Sequence, residues 1–323
     1  MRNLRFAAGI LSILPTVLGA GIVHSQNYPN KPIRMVTAAS GGGIDFVVRL
    51  ISPALSDSLG QQVIVDNRGG ANGIFAARAV ATAPPDGYTL LIYASTIWLA
   101  PFFQQNVTYD PVRDFAPITL ATKSSNILVV HPSLPVRSVK ELIALAKARP
   151  GELNYASAST GGSPHLAAEL FKAMAGVNIQ RIAYRGSGPA NIALVAGEVQ
   201  LSFAVPASVA HYVKTGRLRA LAVTSAEPSP LAPGLPTVAA AGLPGYESVT
   251  PVGMFAPAQT PATLINRLNQ EIVRVLNRAD IKEKFFNVGV ETVGSSPEQF
   301  AAVVTSDMAK WGKVLKDAGI RVE

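Results

Sequence analysis

Short β-branched runs that break off in loops of glycine and hydroxyl residues, then reopen as amphipathic helices, recur along this chain from Ile33 onward. That alternation is the signature of an α/β protein with mainly parallel sheets, because parallel strands need a crossover helix between them. The first unit is the plainest. The run 33–37 stops at Ala38, Ala39, Ser40, Gly41, Gly42 and Gly43, and a helical pattern follows with Asp45 in its first turn. Three residues without a Cβ beside a helix start let backbone N–H groups approach a ligand closely and face negative charge. Taken alone, the same residues also make a tight strand-to-helix turn with Asp45 as its cap or first-turn acid.

The pattern repeats. A strand at 63–66 enters the glycine-rich loop 67–73, and a strand at 90–93 ends in Ala94, Ser95 and Thr96. In parallel α/β sheets such loops gather at the carboxyl ends of the strands, where ligands bind. The helix expected over 46–59 contains Pro53, which should kink or restart it. A second half begins after 114–117 with a strand at 127–130 and a helix over 138–149 opened by a Ser138 and Glu141 capping box. The strand at 153–156 then runs into Ser157, Ala158, Ser159, Thr160, Gly161, Gly162 and Ser163, with Pro164 in the first turn of the next helix. Two cradles of this kind, facing each other, would make a cleft. Strands at 179–184, 201–205 and 219–223 alternate with helices at 189–196 and 208–215, and a strand-like stretch at 246–257 crosses back to the first half. The final third carries amphipathic helices at 261–278 and 297–318, read as scaffold.

At 323 residues, 48% of them apolar, the chain suits two domains and is not short of core. Residues 1–25 combine Arg2 and Arg5, an uncharged apolar run broken by Pro15, and small residues up to Ser25, which reads as a secretory signal peptide cut after Ser25. The mature protein is expected to be soluble and exported. The absence of cysteine excludes disulfides, thiolate catalysis and lipidation at the cleavage point. The formal charge of +8, or +6 without the leader, is scattered and not interleaved with aromatics, so no nucleic-acid partner is expected.

His24, His131, His165 and His211 are dispersed, so no metal site and no cofactor are expected. Ser163 and His165 are the parts of a nucleophilic pair, but two residues apart at a helix start they point in different directions. His165 reads equally as a polar wall of the cleft or as a helix-start histidine bonded to backbone. Tyr184 and Arg185 end a strand, where either could meet an anion.

Several motifs in order give the chain a resemblance. The loop ending in Gly41, Gly42, Gly43, Ile44 and Asp45, the stretch 66–73, the turn 84–90, and the segments 109–117, 165–172, 218–225 and 296–300 together resemble the Bug-type extracytoplasmic solute receptors, the substrate-binding components of tripartite tricarboxylate transporters. The resemblance covers residues 28 to 323. It implies an α/β, two-lobed periplasmic binding protein of type II (Venus-flytrap), each lobe a mainly parallel sheet flanked by helices. The expected domains are 26–124 with 247–323, discontinuous, and 125–246. The resemblance further implies a monomeric receptor, not an enzyme, that captures a small organic anion such as a carboxylate and delivers it to membrane permease subunits or a sensor protein. Carried over position by position, the ligand residues would be Ser40, Gly41, Gly42, Gly43 and Asp45 from the first lobe. From the second they would be Ser159, Thr160, Gly161, Gly162, Ser163 and His165, with Asn72, Ser95 and Tyr184 at neighbouring strand ends. Thr37, Ala38, Ser40 and Ala204 depart from the family pattern and are expected to reshape the wall. An exported hydrolase using Ser163 and His165, and a sensing receptor without transport, are the alternatives.

Overall fold

The structure, a computed structural model, describes residues 28–38, 40, 43–70, 73–157 and 161–317. In chain order its first elements are β1 Ile33–Thr37, α1 Gly43–Leu59, β2 Val63–Asn67, α2 Ile74–Ala81, β3 Thr89–Ala94, α3 Thr96–Phe103 and β4 Phe115–Ser125. There follow β5 Ile127–Val130, α4 Val139–Ala148, β6 Asn154–Ser157, α5 Ser163–Ala175, β7 Gln180–Ala183, α6 Ser187–Ala196, β8 Leu201–Ala204, α7 Pro206–Lys214 and β9 Arg219–Val223. The chain closes with β10 Val249–Pro257, α8 Ala262–Leu276, α9 Ala279–Phe286, β11 Glu291–Thr292 and α10 Pro297–Asp317. The expected leader lies outside the described residues. No described helix is long and apolar enough to cross a membrane.

Two sheets organise these elements, one ordered β11-β4-β10-β3-β1-β2 and the other β7-β6-β8-β5-β9. In the first, β1 pairs in parallel with β2 and β3, and β10 is inserted antiparallel between β3 and β4. In the second, β6 pairs in parallel with β7 and β8, and β5 is inserted antiparallel between β8 and β9. Each sheet thus has a parallel set with reversed strands added, and helices flank both. This is the two-lobed α/β plan that the alternating pattern predicts.

Local sequence explains the parts that position the site. All six residues of β3 are buried, as a central strand covered on both faces requires. Ser138 caps α4 by accepting from the Glu141 N–H at 3.2 Å, while the Glu141 carboxylate accepts from the Arg137 N–H at 2.7 Å. The expected break at Pro53 does not occur. The helix α1 runs through it, because Ile51, Ala54 and Leu55 on either side are buried in the core and outweigh the one lost backbone bond. The helix expected over 261–278 ends at Leu276, and α9 follows as a separate helix. Gly253 in β10 is required by packing: a Cβ there would stand 1.8 Å from the Phe300 ring of α10.

The chain passes between the sheets twice, and the two passages are bonded side by side. Val249 lies opposite Ser125 on one side, and Ile127 opposite Val223 on the other. Between them the Asn126 N–H donates to Thr224 Oγ1 at 2.7 Å, and the Thr224 N–H donates back to the Asn126 carbonyl at 2.9 Å. One apolar cluster spans the junction, reaching from Trp98, Phe255 and Phe300 to Phe171, Phe203 and Tyr246.

Candidate functional site

A cavity of about 680 Å³ lies where strand ends of the two sheets meet. Four strand-to-helix turns contribute to its wall. The α1 start brings Gly43, the β3 end brings Ser95, the α5 start brings Gly161, Gly162 and Ser163, and the β8 end brings Val205. The first-turn N–H groups of a helix have no partner within it, and each helix start carries roughly half a positive charge. Convergence of such turns therefore makes a region of positive potential without a charged side chain. Among the described lining residues none is Asp, Glu, Lys or Arg; the polar side-chain groups are hydroxyls and the Trp311 indole.

Two hydroxyls have geometry suited to an incoming acceptor. Ser163 Oγ accepts from Asn126 Nδ2 at 2.6 Å, so the lone pair that faces Asn126 is used and its own O–H is left to donate elsewhere. Thr122 is fully buried, lines the cavity, and its Oγ1 has no hydrogen-bond partner among the described residues. A buried hydroxyl without a partner costs about 1–3 kcal/mol, which a bound acceptor removes. Gly43 makes a third point. A Cβ built on it meets nothing within 4 Å, so no described protein atom demands glycine there.

Of the residues expected from the sequence, the structure brings Gly43, Ser95, Gly161, Gly162 and Ser163 to this one cavity. Gly41, Gly42, Asn72, Ser159 and Thr160 lie outside the described residues. Ser40, Asp45, His165 and Tyr184 do not line the cavity, and each of the three larger side chains is engaged elsewhere. The buried Asp45 carboxylate accepts Arg49 Nε at 3.0 Å and Asn67 Nδ2 at 2.7 Å. Asn67 Nδ2 also donates to the Ala38 carbonyl at 2.8 Å, so Asp45 braces the end of the first loop against the start of α1. Tyr184 packs beside a satellite apolar cluster, and its N–H donates to the Ser157 carbonyl at 2.9 Å.

His165 settles into the backbone-bonded role. Its Nδ1 accepts the Gly161 N–H at 3.0 Å, which fixes the proton on Nε2 and removes that N–H from the donors facing the cavity. Burial, aided by the nearby Arg181, holds its pKa down at about 4, so the ring is neutral and its acceptor stays in place. Behind the same loop Arg181 Nε donates to Ser157 Oγ at 2.7 Å. Glu169 accepts from the Tyr155 hydroxyl at 2.6 Å and from Lys172 at 2.7 Å. Ser163 and His165 thus have different partners, and no hydrogen bond joins them.

Thr37, Ala38, Ser40 and Ala204, expected to reshape the wall, are not among its lining residues. Thr37 is buried within the sheet, where its carbonyl accepts the Arg68 N–H, and Ala204 is buried in the apolar cluster of the second sheet. What the sequence did not reveal is the contribution of the passages and the last helices. Thr122, Ser124, Ser248 and Thr250 come from the paired crossings, and Val290 and Trp311 from the C-terminal third. No described group of three His, Cys, Asp or Glu is placed to hold a metal ion.

The family model described as the tripartite tricarboxylate transporter family receptor matches residues 47–320. A protein of the tcbD-tcbE intergenic region of a Pseudomonas species is 40% identical over 313 residues, 96% of this chain and 93% of that one. Protein BugT of Bordetella pertussis is 33% identical over 326 residues and 100% of both chains. Among solved structures, a protein of R. palustris with adipate is 38% identical with a TM-score of 0.75, covering 91% of this chain and 99% of that one. The two sheets, the cavity at their strand ends and the match across most of the chain agree, and the chain belongs to the tripartite tricarboxylate transporter family of receptors.

Proposed function

We propose that this protein is an exported solute receptor that holds a small organic carboxylate in the cavity between its two lobes and hands it to the permease subunits of a tripartite transporter. The observation that carries the reading is the convergence of the α1, α3 and α5 starts on one cavity whose wall holds the buried Thr122 hydroxyl, without a hydrogen-bond partner among the described residues. In this reading the carboxylate accepts from the Ser163 hydroxyl, the Thr122 hydroxyl and the backbone near Gly43, Gly162 and Ser95. Such donors solvate an anion without a buried counter-charge, as at other helix N-termini. The R. palustris relative solved with adipate supports carboxylate as the ligand chemistry.

The leader through Ser25 is removed and the mature chain acts in the periplasm as a monomer, with domains 26–124 plus 247–323 and 125–246. A ligand touching residues of both domains favours the conformation in which both contacts are made, and it can do so only by the difference in its affinity for the two states. The protein performs no hydrolysis, because Ser163 and His165 act separately, one on the ligand and one on its own loop. The test is a thermal-shift and calorimetry screen with adipate and other carboxylates, run beside an ester-hydrolysis assay. The expected result is ligand-dependent stabilisation without turnover. Turnover that is lost in Ser163→Ala would overturn the reading.

A further inference from the structure

Resting on the carboxylate reading above, we infer that Arg181 is a positioning residue for the ligand, acting from behind the cavity wall. It fixes the turn from β6 into α5 at Ser157 and preserves the His165 bond that fixes the same turn at Gly161. Three side chains tie this turn down. Asn126 Nδ2 donates to Ser163 Oγ at 2.6 Å, the Gly161 N–H donates to His165 Nδ1 at 3.0 Å, and Arg181 Nε donates to the buried Ser157 Oγ at 2.7 Å. Gly161 and Ser163 line the cavity, whereas Ser157 and Arg181 do not. Arg181 reaches Ser157 from β7, the edge strand of its sheet, where the parallel register sets it beside Tyr155 of β6.

The tie at Gly161 depends on charge. His165 Nδ1 accepts only while the ring is neutral, because an imidazolium carries hydrogen on both nitrogens and would set a donor against the Gly161 N–H. A cation close to the ring opposes that protonation. Burial is the first cause that keeps His165 neutral, and the Arg181 guanidinium is the second. The remaining groups around the ring oppose one another or are engaged elsewhere. On α5 itself Glu169 favours the imidazolium and Lys172 disfavours it, and these two are bonded to each other at 2.7 Å, with the Tyr155 hydroxyl of β6 donating to the same carboxylate. On α10, Asp307 accepts from the Trp98 indole and Lys310 donates to the Glu247 carbonyl. The strands β8 and β10, also packed against α5, carry no titratable side chain. Arg181 therefore holds one end of the turn by a hydrogen bond and the other by its charge, and both effects bear on the donors that Gly162 and Ser163 present to the ligand.

The experiment is calorimetry with adipate between about pH 7.5 and pH 5, beside an NMR titration of the His165 imidazole, on the mature chain, Arg181→Gln and Arg181→Lys. The ratio of wild-type to variant affinity at each pH cancels the ionisation of adipate itself. Arg181→Gln keeps an N–H donor for Ser157 but removes the charge. It is expected to raise the His165 pKa and to widen the affinity ratio by about threefold or more as the pH falls across that range, because the protonated ring releases the Gly161 N–H. Arg181→Lys restores the charge and is expected to return both the His165 titration and the flat ratio. An Arg181→Gln variant whose His165 titrates as in the wild type, or whose affinity ratio is the same at every pH, would overturn the inference, as would an Arg181→Lys variant that behaves like Arg181→Gln. A wild type that binds no carboxylate would overturn the receptor reading instead, while the His165 titrations would still decide whether Arg181 keeps the ring neutral.

Discussion

Replacing His165 probes the loop that carries Gly161, Gly162 and Ser163. The imidazole is buried with its Nδ1 on the Gly161 N–H, and its pKa is held down at about 4 against an ordinary value of 6.5. Above pH 6.5 both folded and unfolded chains carry a neutral ring, so His165 adds no pH dependence there. As pH falls through 6.5 the unfolded chain takes up a proton that the folded chain refuses until about pH 4, so stability declines across that window. The separation of the two values corresponds to a loss of about 3 kcal/mol by the lower end. In His165→Gln, whose amide oxygen retains an acceptor for Gly161 but does not titrate, this part of the decline should disappear. His165→Ala should lower stability at neutral pH by a further ~1–3 kcal/mol, because the Gly161 N–H is left buried without an acceptor. Urea denaturation across the pH window, with an NMR titration of the imidazole, measures both effects. An imidazole that titrates near its ordinary value, or a His165→Gln variant with the wild-type pH slope, would rule out this role for His165.

Further substitutions separate ligand contact from support. Gly43→Ala adds a methyl where no described atom lies within 4 Å, at a helical position, so stability should hold or rise by up to about 1 kcal/mol while carboxylate affinity falls, read by urea denaturation and calorimetry. Gly73→Ala should behave in the opposite way. Its φ of +99° disfavours alanine, and the new Cβ would stand 2.6 Å from the Tyr93 ring, so a loss of about 1–3 kcal/mol in stability is expected, with weaker binding because Tyr93 lines the cavity. Asp45→Asn removes the charge that Arg49 and Asn67 both address and should cost about 1–3 kcal/mol in the same denaturation assay.

That Gly43, Gly162 and Ser163 line one cavity was legible because the strand, glycine-and-hydroxyl loop, helix plan occurs in both halves, and such loops gather at the carboxyl ends of strands. The role of His165 was not, since a histidine at a helix start can face a cleft or its own loop, and only the position of the Gly161 N–H decides. Thr122 and Thr250 escaped because β4 and β10 are reversed neighbours interrupted by Pro117 and Pro251, and their meaning comes from pairing across the chain. Trp311 lies on an apolar helix face, a pattern that reads as scaffold. Periodicity identifies such a face but cannot say whether it meets a core or a cavity. Pro53 does not break α1, since buried neighbours on both sides hold the helix together.

The central claim is that the cavity at the strand ends of the two sheets is the carboxylate site. A crystal structure of the mature protein with adipate tests it most directly. Adipate is expected inside this cavity, with a carboxylate oxygen in hydrogen-bond contact with Ser163 Oγ or Thr122 Oγ1 and the methylene chain against Phe46, Val205 or Trp311. Adipate ordered elsewhere on the protein, with the Thr122 hydroxyl still unpartnered, would contradict it.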